Sequence, residues 1–194
     1  MKQVLGAGVL AAGLIAPGLL MAAPAKDPSG VWRTEDGRAR VQMEKCGPGH
    51  DQVCGYIVWL SKPLDDQGQP RVDSKNPDPQ KAKRPLLGHQ LILGLKPNDD
   101  GRYEGEIYNS EDGKKYDVTV WADQPSVLKV KGCLVAFLCS TQSWTKVTDV
   151  ASGQLTASPG APGGPRPDPQ WASSTAPTGT GSLPAHHAPA RPKS

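Results

Sequence analysis

Residues Tyr103 to Val147 read YEGEIYNSEDGKKYDVTVWADQPSVLKVKGCLVAFLCSTQSWTKV, and this stretch decides the fold. Apolar or small residues alternate with polar ones in short runs. Tyr103-Glu104-Gly105-Glu106-Ile107 puts its acids on one parity. Tyr116-Asp117-Val118-Thr119-Val120 returns to the same alternation, and Leu128-Lys129-Val130-Lys131 repeats it with the lysines outward. A period of two means a strand with one buried and one wetted face, the pattern of antiparallel sheets. The punctuation agrees: Asp112-Gly113 tolerates positive φ and signals a hairpin, and Asp123-Gln124-Pro125 marks a second turn. The stretch reads as a β-meander.

Upstream the same grammar continues. Ser29-Gly30-Val31-Trp32 opens a short strand that ends near Thr34, before a turn at Glu35-Asp36-Gly37. Arg38 to Glu44 alternates polar and apolar, and Gly47-Pro48-Gly49-His50 is a loop. Tyr56-Ile57-Val58-Trp59-Leu60 is apolar on both parities, which predicts a strand covered on both faces. Leu91 to Leu95 resumes strand character before a turn at Pro97 to Gly101. About eight strands result, mostly joined by tight turns. Closing them into an antiparallel up-and-down β-barrel is the simplest way to remove both sheet edges, so the fold class is all-β. Ser61 to Gly88 interrupts the pattern, being long, polar and punctuated by proline. One short helical turn near Pro79 to Lys83 is all the helix that the pattern allows. Loops of this length are usually functional or disordered.

The ends are compositionally distinct. Residues 1–25 have Lys2, an apolar run from Val4 to Met21 and then Ala23-Pro24-Ala25, the grammar of a cleaved secretory signal peptide. Residues 151–194 hold nine of the chain's 20 prolines and a single aromatic, Trp171, so a disordered low-complexity tail is expected. Residues 26–150 are left as one domain of ordinary size. The four cysteines fit an oxidising compartment, periplasmic or secreted. Cys46 with Cys54, and Cys133 with Cys139, are spaced to staple one hairpin each, although four cysteines permit three connectivities. Neither spacing suits a zinc site, so no metal and no cofactor is expected. The formal charge of +3 is spread among acids without a basic stripe, which argues against a nucleic-acid partner.

Several motifs occur together in order. They are Gly30-Val31-Trp32, Cys54-Gly55-Tyr56-Ile57-Val58-Trp59-Leu60, Asp73 with Asn76-Pro77-Asp78-Pro79, and Arg84-Pro85-Leu86-Leu87-Gly88. Further on come Gly105 to Tyr116, Lys131-Gly132-Cys133 and Ser143-Trp144-Thr145-Lys146. With these the chain resembles the bacterial exported family known as domain of unknown function 2147, and the resemblance spans Ser29 to Val147. It implies a lipocalin-like (calycin) barrel. In lipocalins the tryptophan of a Gly-x-Trp motif packs at the barrel floor beneath a basic residue of the last strand. The resemblance therefore gives Gly30, Trp32, Trp144 and Lys146 structural roles, with lysine standing where lipocalins carry arginine.

Chemistry is sparsely encoded. Two histidines, His50 and His89, lie in the domain, and both read as solvated surface residues. No nucleophile and base stand together, so an enzyme is the last of three readings and no catalytic residue is assigned. The acids at Asp65, Asp66, Asp73 and Asp78 are explained by turns and solvation. The first reading is a barrel that binds a small, partly apolar ligand in its interior. Tyr56, Trp59, Ile107, Tyr116 and Val118 would line it, and Arg84 would belong to a basic lid with Lys75, Lys81 and Lys83. A plain surface loop, held down by Arg84 on Asp73 or Asp78, explains the lid region equally well. The second reading is an envelope protein-protein interaction module with a solid core. Partners are thus an amphiphilic or apolar small molecule or an envelope protein, with no integral membrane segment once the signal is removed.

Overall fold

The computed structural model describes residues 26–135 and 137–169. The signal-peptide reading lies outside them, as do residues 170–194. Eight strands follow in order: β1 (Gly30–Arg33), β2 (Ala39–Cys46), β3 (Gln52–Leu60), β4 (Gln90–Pro97), β5 (Tyr103–Asn109), β6 (Lys114–Gln124), β7 (Val127–Val135) and β8 (Leu138–Val147). Each pairs antiparallel with its neighbour in sequence, and β8 returns to β1 to close the barrel. The meander from Tyr103 onward is registered as its alternation requires, with Tyr103 opposite Val120 and Leu128 opposite Trp144.

Up-and-down connectivity sorts the connections between two ends. At one end lie the N-terminal lead-in and the short loops after β2, β4 and β6. At the other lie the β1–β2 turn, the segment 61–89, the β5–β6 hairpin and the tip of the β7–β8 hairpin. The first end is sealed. Trp32 is buried beside the lead-in and its indole N–H donates to the Pro28 carbonyl at 2.8 Å. Trp32, Val41, Met43, Val53, Ile92, Leu95, Tyr103, Val118, Val120, Leu128, Val130 and Trp144 form one core cluster. Most are the inward positions of alternating strands, so their burial follows from the period of two; Ile92 and Leu95, three residues apart, reach the same face across the irregularity at Gly94 in β4.

Lys146 lies opposite Trp32 in the β1–β8 ladder, and its ammonium stands 5.3 Å from the indole centroid. That nitrogen also donates to the Ser29 carbonyl at 3.2 Å. Gly30 is needed beneath it: φ is +131°, and a Cβ would stand 2.9 Å from the lysine's Cε. The floor implied by the family resemblance is therefore built, with an ammonium over the ring rather than a planar guanidinium.

Two expectations are corrected. Residues 79–83 form consecutive turns, with Lys81 and Ala82 both donating to the Asp78 carbonyl, and no helix. The chain from Ala151 to Pro169 does not detach from the barrel. The Leu155 N–H donates to Val58 O at 2.9 Å, the Arg166 N–H donates to Gly88 O at 2.7 Å, and Pro165 and Asp168 are buried. Composition correctly described a segment unable to form its own core. The outer face of β3 and β4 supplies one instead, which a local reading of 151–169 does not include.

Candidate functional site

Positions of the lumen parity are packed within the closed belt of the barrel and exposed above it. On β7 and β8 the positions that share a parity with Leu128, Val130 and Trp144 are Gly132, Leu134, Leu138, Ser140 and Gln142. Leu134 and Leu138 are 62% and 57% exposed, and Ser140 and Gln142 are also exposed. A Cβ built on Gly132 would meet no atom within 4 Å. Two features of the pairing cause this opening. The β1 ladder reaches only residues 145–147 of β8, and the β6 ladder stops at Cys133 on β7. Residues 134–135 and 137–142 therefore rise past the closed belt. The Cys133–Cys139 disulfide staples this overhang, and Val135 and Phe137 at its tip are 51% and 89% exposed. Across the mouth, Ile107 is half-buried against the core. Tyr116 lies opposite it, partly exposed, with its hydroxyl bonded to the Asp112 carboxylate.

The second feature is a buried polar cluster on the outer face of β4 and β5, beneath segment 61–88. Asp73 is fully buried. Its Oδ1 accepts the Tyr108 hydroxyl at 2.7 Å, and its Oδ2 accepts Asn76 Nδ2 at 2.9 Å and Arg84 Nε at 3.0 Å. Arg84 reaches across to Asp168 with Nη1 at 2.7 Å, and Lys81 lies 3.3 Å from the same carboxylate. The His89 ring stands edge-on to Tyr108, and its Nε2 lies 3.3 Å from Arg84 Nη2. As the guanidinium can only donate, that nitrogen is the imidazole's acceptor and His89 is neutral. Burial, followed by the Arg84 charge, pushes its pKa down to about 4, against smaller upward pulls from Asp73 and Asp168. Burial, together with the Asp73 bond, pushes Tyr108 up to about 12.

Local sequence explains how the cluster is held. The Asp73 and Arg84 backbones are bonded to one another, and Asn76-Pro77-Asp78 forms a turn in which Asn76 Oδ1 accepts the Asp78 N–H. Gly113 in the β5–β6 hairpin lets the segment approach closely. Its φ is +73°, and a Cβ there would stand 2.0 Å from Lys75 O. A cavity of about 240 Å³ beside the cluster is bounded by Asn76, Lys81, Arg84, His89, Tyr108 and Asp168.

The residues read from sequence as ligand-lining are separated by the structure. Ile107, Tyr116 and Val118 lie on the lumen parity, with Val118 within the packed core and the other two at the mouth. Tyr56 and Trp59 do not line the lumen. Tyr56 pairs with Gln42, on the parity opposite Val41 and Met43, and is buried on the outer face. A register shift between Arg40 and Val41 sets Trp59 opposite Arg40, whose guanidinium carbon stands 5.5 Å from the indole centroid, and Trp59 Nε1 donates to Ser152 O. The outer face of β3 is met by the C-terminal segment at Trp59, through Ser152 O, and at Val58, whose carbonyl accepts the Leu155 N–H. Arg84 is no free lid residue, since it is held by Asp73 as the plainer reading expected, and by Asp168. His89 is buried rather than solvated, and Asp73 and Asp168 carry a network that turn chemistry alone did not suggest. The disulfides join Cys46 to Cys54 and Cys133 to Cys139.

A closed eight-stranded antiparallel barrel, with a glycine-tryptophan entry strand and a cation from the last strand at its floor, is a lipocalin-like fold. The protein HP1028 from the human pathogen Helicobacter pylori, described as belonging to the lipocalin family, has a similar structure. The TM-score is 0.54 at 20% identity, covering 63% of this chain and 84% of that one. Residues 30–146 match the family described as uncharacterized protein conserved in bacteria (DUF2147), and the chain belongs to that family. Comparison with curated proteins gives no match.

Proposed function

We propose that the protein is an exported, non-catalytic carrier that takes a small, partly apolar molecule into the mouth half of its barrel. One observation carries this reading: the lumen-parity positions Gly132, Ser140 and Gln142 stand open above a sealed tryptophan floor. Ile107, Tyr116 and Leu134 provide apolar walls, and Ser140 and Gln142 provide a polar side, which suits an amphiphile with one wet end. The lipocalin-like fold supports small-ligand binding in general. Two disulfides favour an oxidising compartment, and no helix among the described residues is long and apolar enough to cross a membrane. Native mass spectrometry of protein purified from its own envelope tests this. A bound small molecule that is lost when Gly132 is replaced by phenylalanine is the expected result; an adduct-free protein contradicts it.

The exposed tip favours a second reading, an envelope interaction module. Leu134, Val135, Phe137 and Leu138 place a row of apolar side chains in solvent on both faces of the overhang, a pattern that marks contact surfaces. Replacing Phe137 with serine would abolish partner capture while leaving small-molecule binding intact.

A further inference from the structure

The outer-face cluster binds a segment of the chain itself, and the manner of binding is that of a peptide site. Residues 165–168 read Pro-Arg-Pro-Asp and lie along the start of β4. The Arg166 N–H donates to Gly88 O at 2.7 Å and the Asp168 N–H donates to Gln90 Oε1 at 2.9 Å. The two prolines lack an N–H, so each backbone donor of the segment is used, on alternate residues. The Asp168 side chain is the anchor, 5% exposed, with its carboxylate between Arg84 Nη1 at 2.7 Å and Lys81 Nζ at 3.3 Å. Gly88 permits the approach: its φ is +86°, and a Cβ there would come within 3.6 Å of Pro165 Cα and 3.3 Å of Leu155 Cδ1.

The connection before the segment folds on itself, with Ser158 O 2.2 Å from where a Gly164 Cβ would stand. Hydrogen bonds of residues 158–164 run within the loop or to Pro165, and Gly160 and Gly163 take positive φ with nothing within 4 Å of a built Cβ. A cleft of about 660 Å³ runs beneath this loop, bounded by Pro63, Leu64, Pro70, Arg71, Pro85 and Leu87 on the 61–88 side. The Asp168 carboxylate thus lies against two cations, Arg84 and Lys81, and Arg84 also pairs with Asp73.

We propose that the face formed by segment 71–90 is a recognition site for an extended, proline-flanked acidic peptide, and that residues 165–168 occupy it as a displaceable internal ligand. The aspartate is read by Arg84 and Lys81, the backbone by Gly88 and Gln90, and the flanking prolines hold the peptide extended. A partner segment of the same chemistry would compete with the chain's own.

The experiment uses the full chain with a protease cleavage sequence placed between Ala161 and Pro162. After cleavage, the C-terminal fragment is expected to leave during gel filtration, and the cleared barrel to keep its far-ultraviolet spectrum. A fluorescein-labelled synthetic peptide spanning residues 164–170 should then bind the cleared barrel, at least tenfold more tightly than it binds the uncleaved chain. The peptide with Asp168→Asn should lose at least tenfold in affinity, and affinity should fall as salt is raised. Three results overturn the proposal. They are a fragment that stays attached despite excess synthetic peptide, a cleared barrel that unfolds, and equal binding of the aspartate and asparagine peptides. The first two make the segment a permanent part of the fold, and the third removes carboxylate recognition.

Discussion

Replacing Trp144 with alanine separates the floor of the barrel from its mouth. Trp144 is 3% exposed in the core cluster that holds Trp32, and its indole N–H donates to Gln142 Oε1 at 2.8 Å. The substitution removes a large buried group from a sealed region whose β-ladders cannot collapse inward, so the full cavity cost applies. That cost is about 3–5 kcal/mol, a large fraction of the stability of a domain this size. Tyr116 provides the contrast. It shares the lumen parity but is partly exposed at the hairpin end of β6, with its hydroxyl on Asp112. Its loss enlarges a space that is already open, and Tyr116→Ala should cost less than about 1 kcal/mol. Urea denaturation of the two variants, followed by tryptophan fluorescence and far-ultraviolet dichroism, measures the difference. Equal, large destabilisation by both would refute the division of the lumen, because it would mean that Tyr116 packs as tightly as the floor.

Three further outcomes are expected. Asp73→Ala removes one of the two carboxylates on Arg84 and leaves the Tyr108 and Asn76 donors without it in a fully buried site, so denaturation should show a loss of about 3–5 kcal/mol, with Asp73→Asn falling in between. His89 has a folded pKa of about 4, below its ordinary 6.5, so the unfolded chain takes up a proton in that window and the folded one does not. Its contribution is complete above pH 6.5 and declines as pH falls towards 4, by up to about 3 kcal/mol, and His89→Gln should flatten that part of the stability profile. Non-reducing peptide mapping should recover Cys46 linked to Cys54 and Cys133 linked to Cys139. Replacing the second pair by serine should cost about 2.5 kcal/mol at most by loop entropy and leave the closed belt intact.

The barrel was legible because its information is local. Alternation from Tyr103 to Val147, Asp112-Gly113 and the entry motif Gly30-Val31-Trp32 each determine a strand or a turn from neighbouring residues alone. Lumen placement of Ile107, Tyr116 and Val118 followed from the same parity. Tyr56 and Trp59 were misplaced because apolar residues on both parities show that both faces are covered, and do not show by what. In the structure the outer cover lies on segments distant in sequence, as with Ser152 on Trp59. The Asp73–Arg84–Asp168 network was only half visible for the same reason. The Asp73–Arg84 pair lies within one loop, whereas Asp168 comes from a segment whose composition signals disorder. Exposure of Leu134, Val135, Phe137 and Leu138 depends on where the β1 and β6 ladders stop, which the strand pattern of β7 and β8 does not encode.

A ligand-sized space in the mouth half of the barrel, as proposed above, is tested most simply at Gly132. Its backbone has no positive-φ requirement and a Cβ there has open space, so Gly132→Phe should fill the mouth without straining the strand. An apolar fluorescent probe such as 1-anilinonaphthalene-8-sulfonate is titrated into the wild type and this variant at neutral pH, with melting temperature measured alongside. Saturable, one-to-one binding to the wild type is expected, and loss of that binding in Gly132→Phe at a melting temperature within about 3 °C, the shift a small surface-level change produces. Absence of saturable binding to the wild type, or undiminished binding to the filled variant, would contradict that proposal.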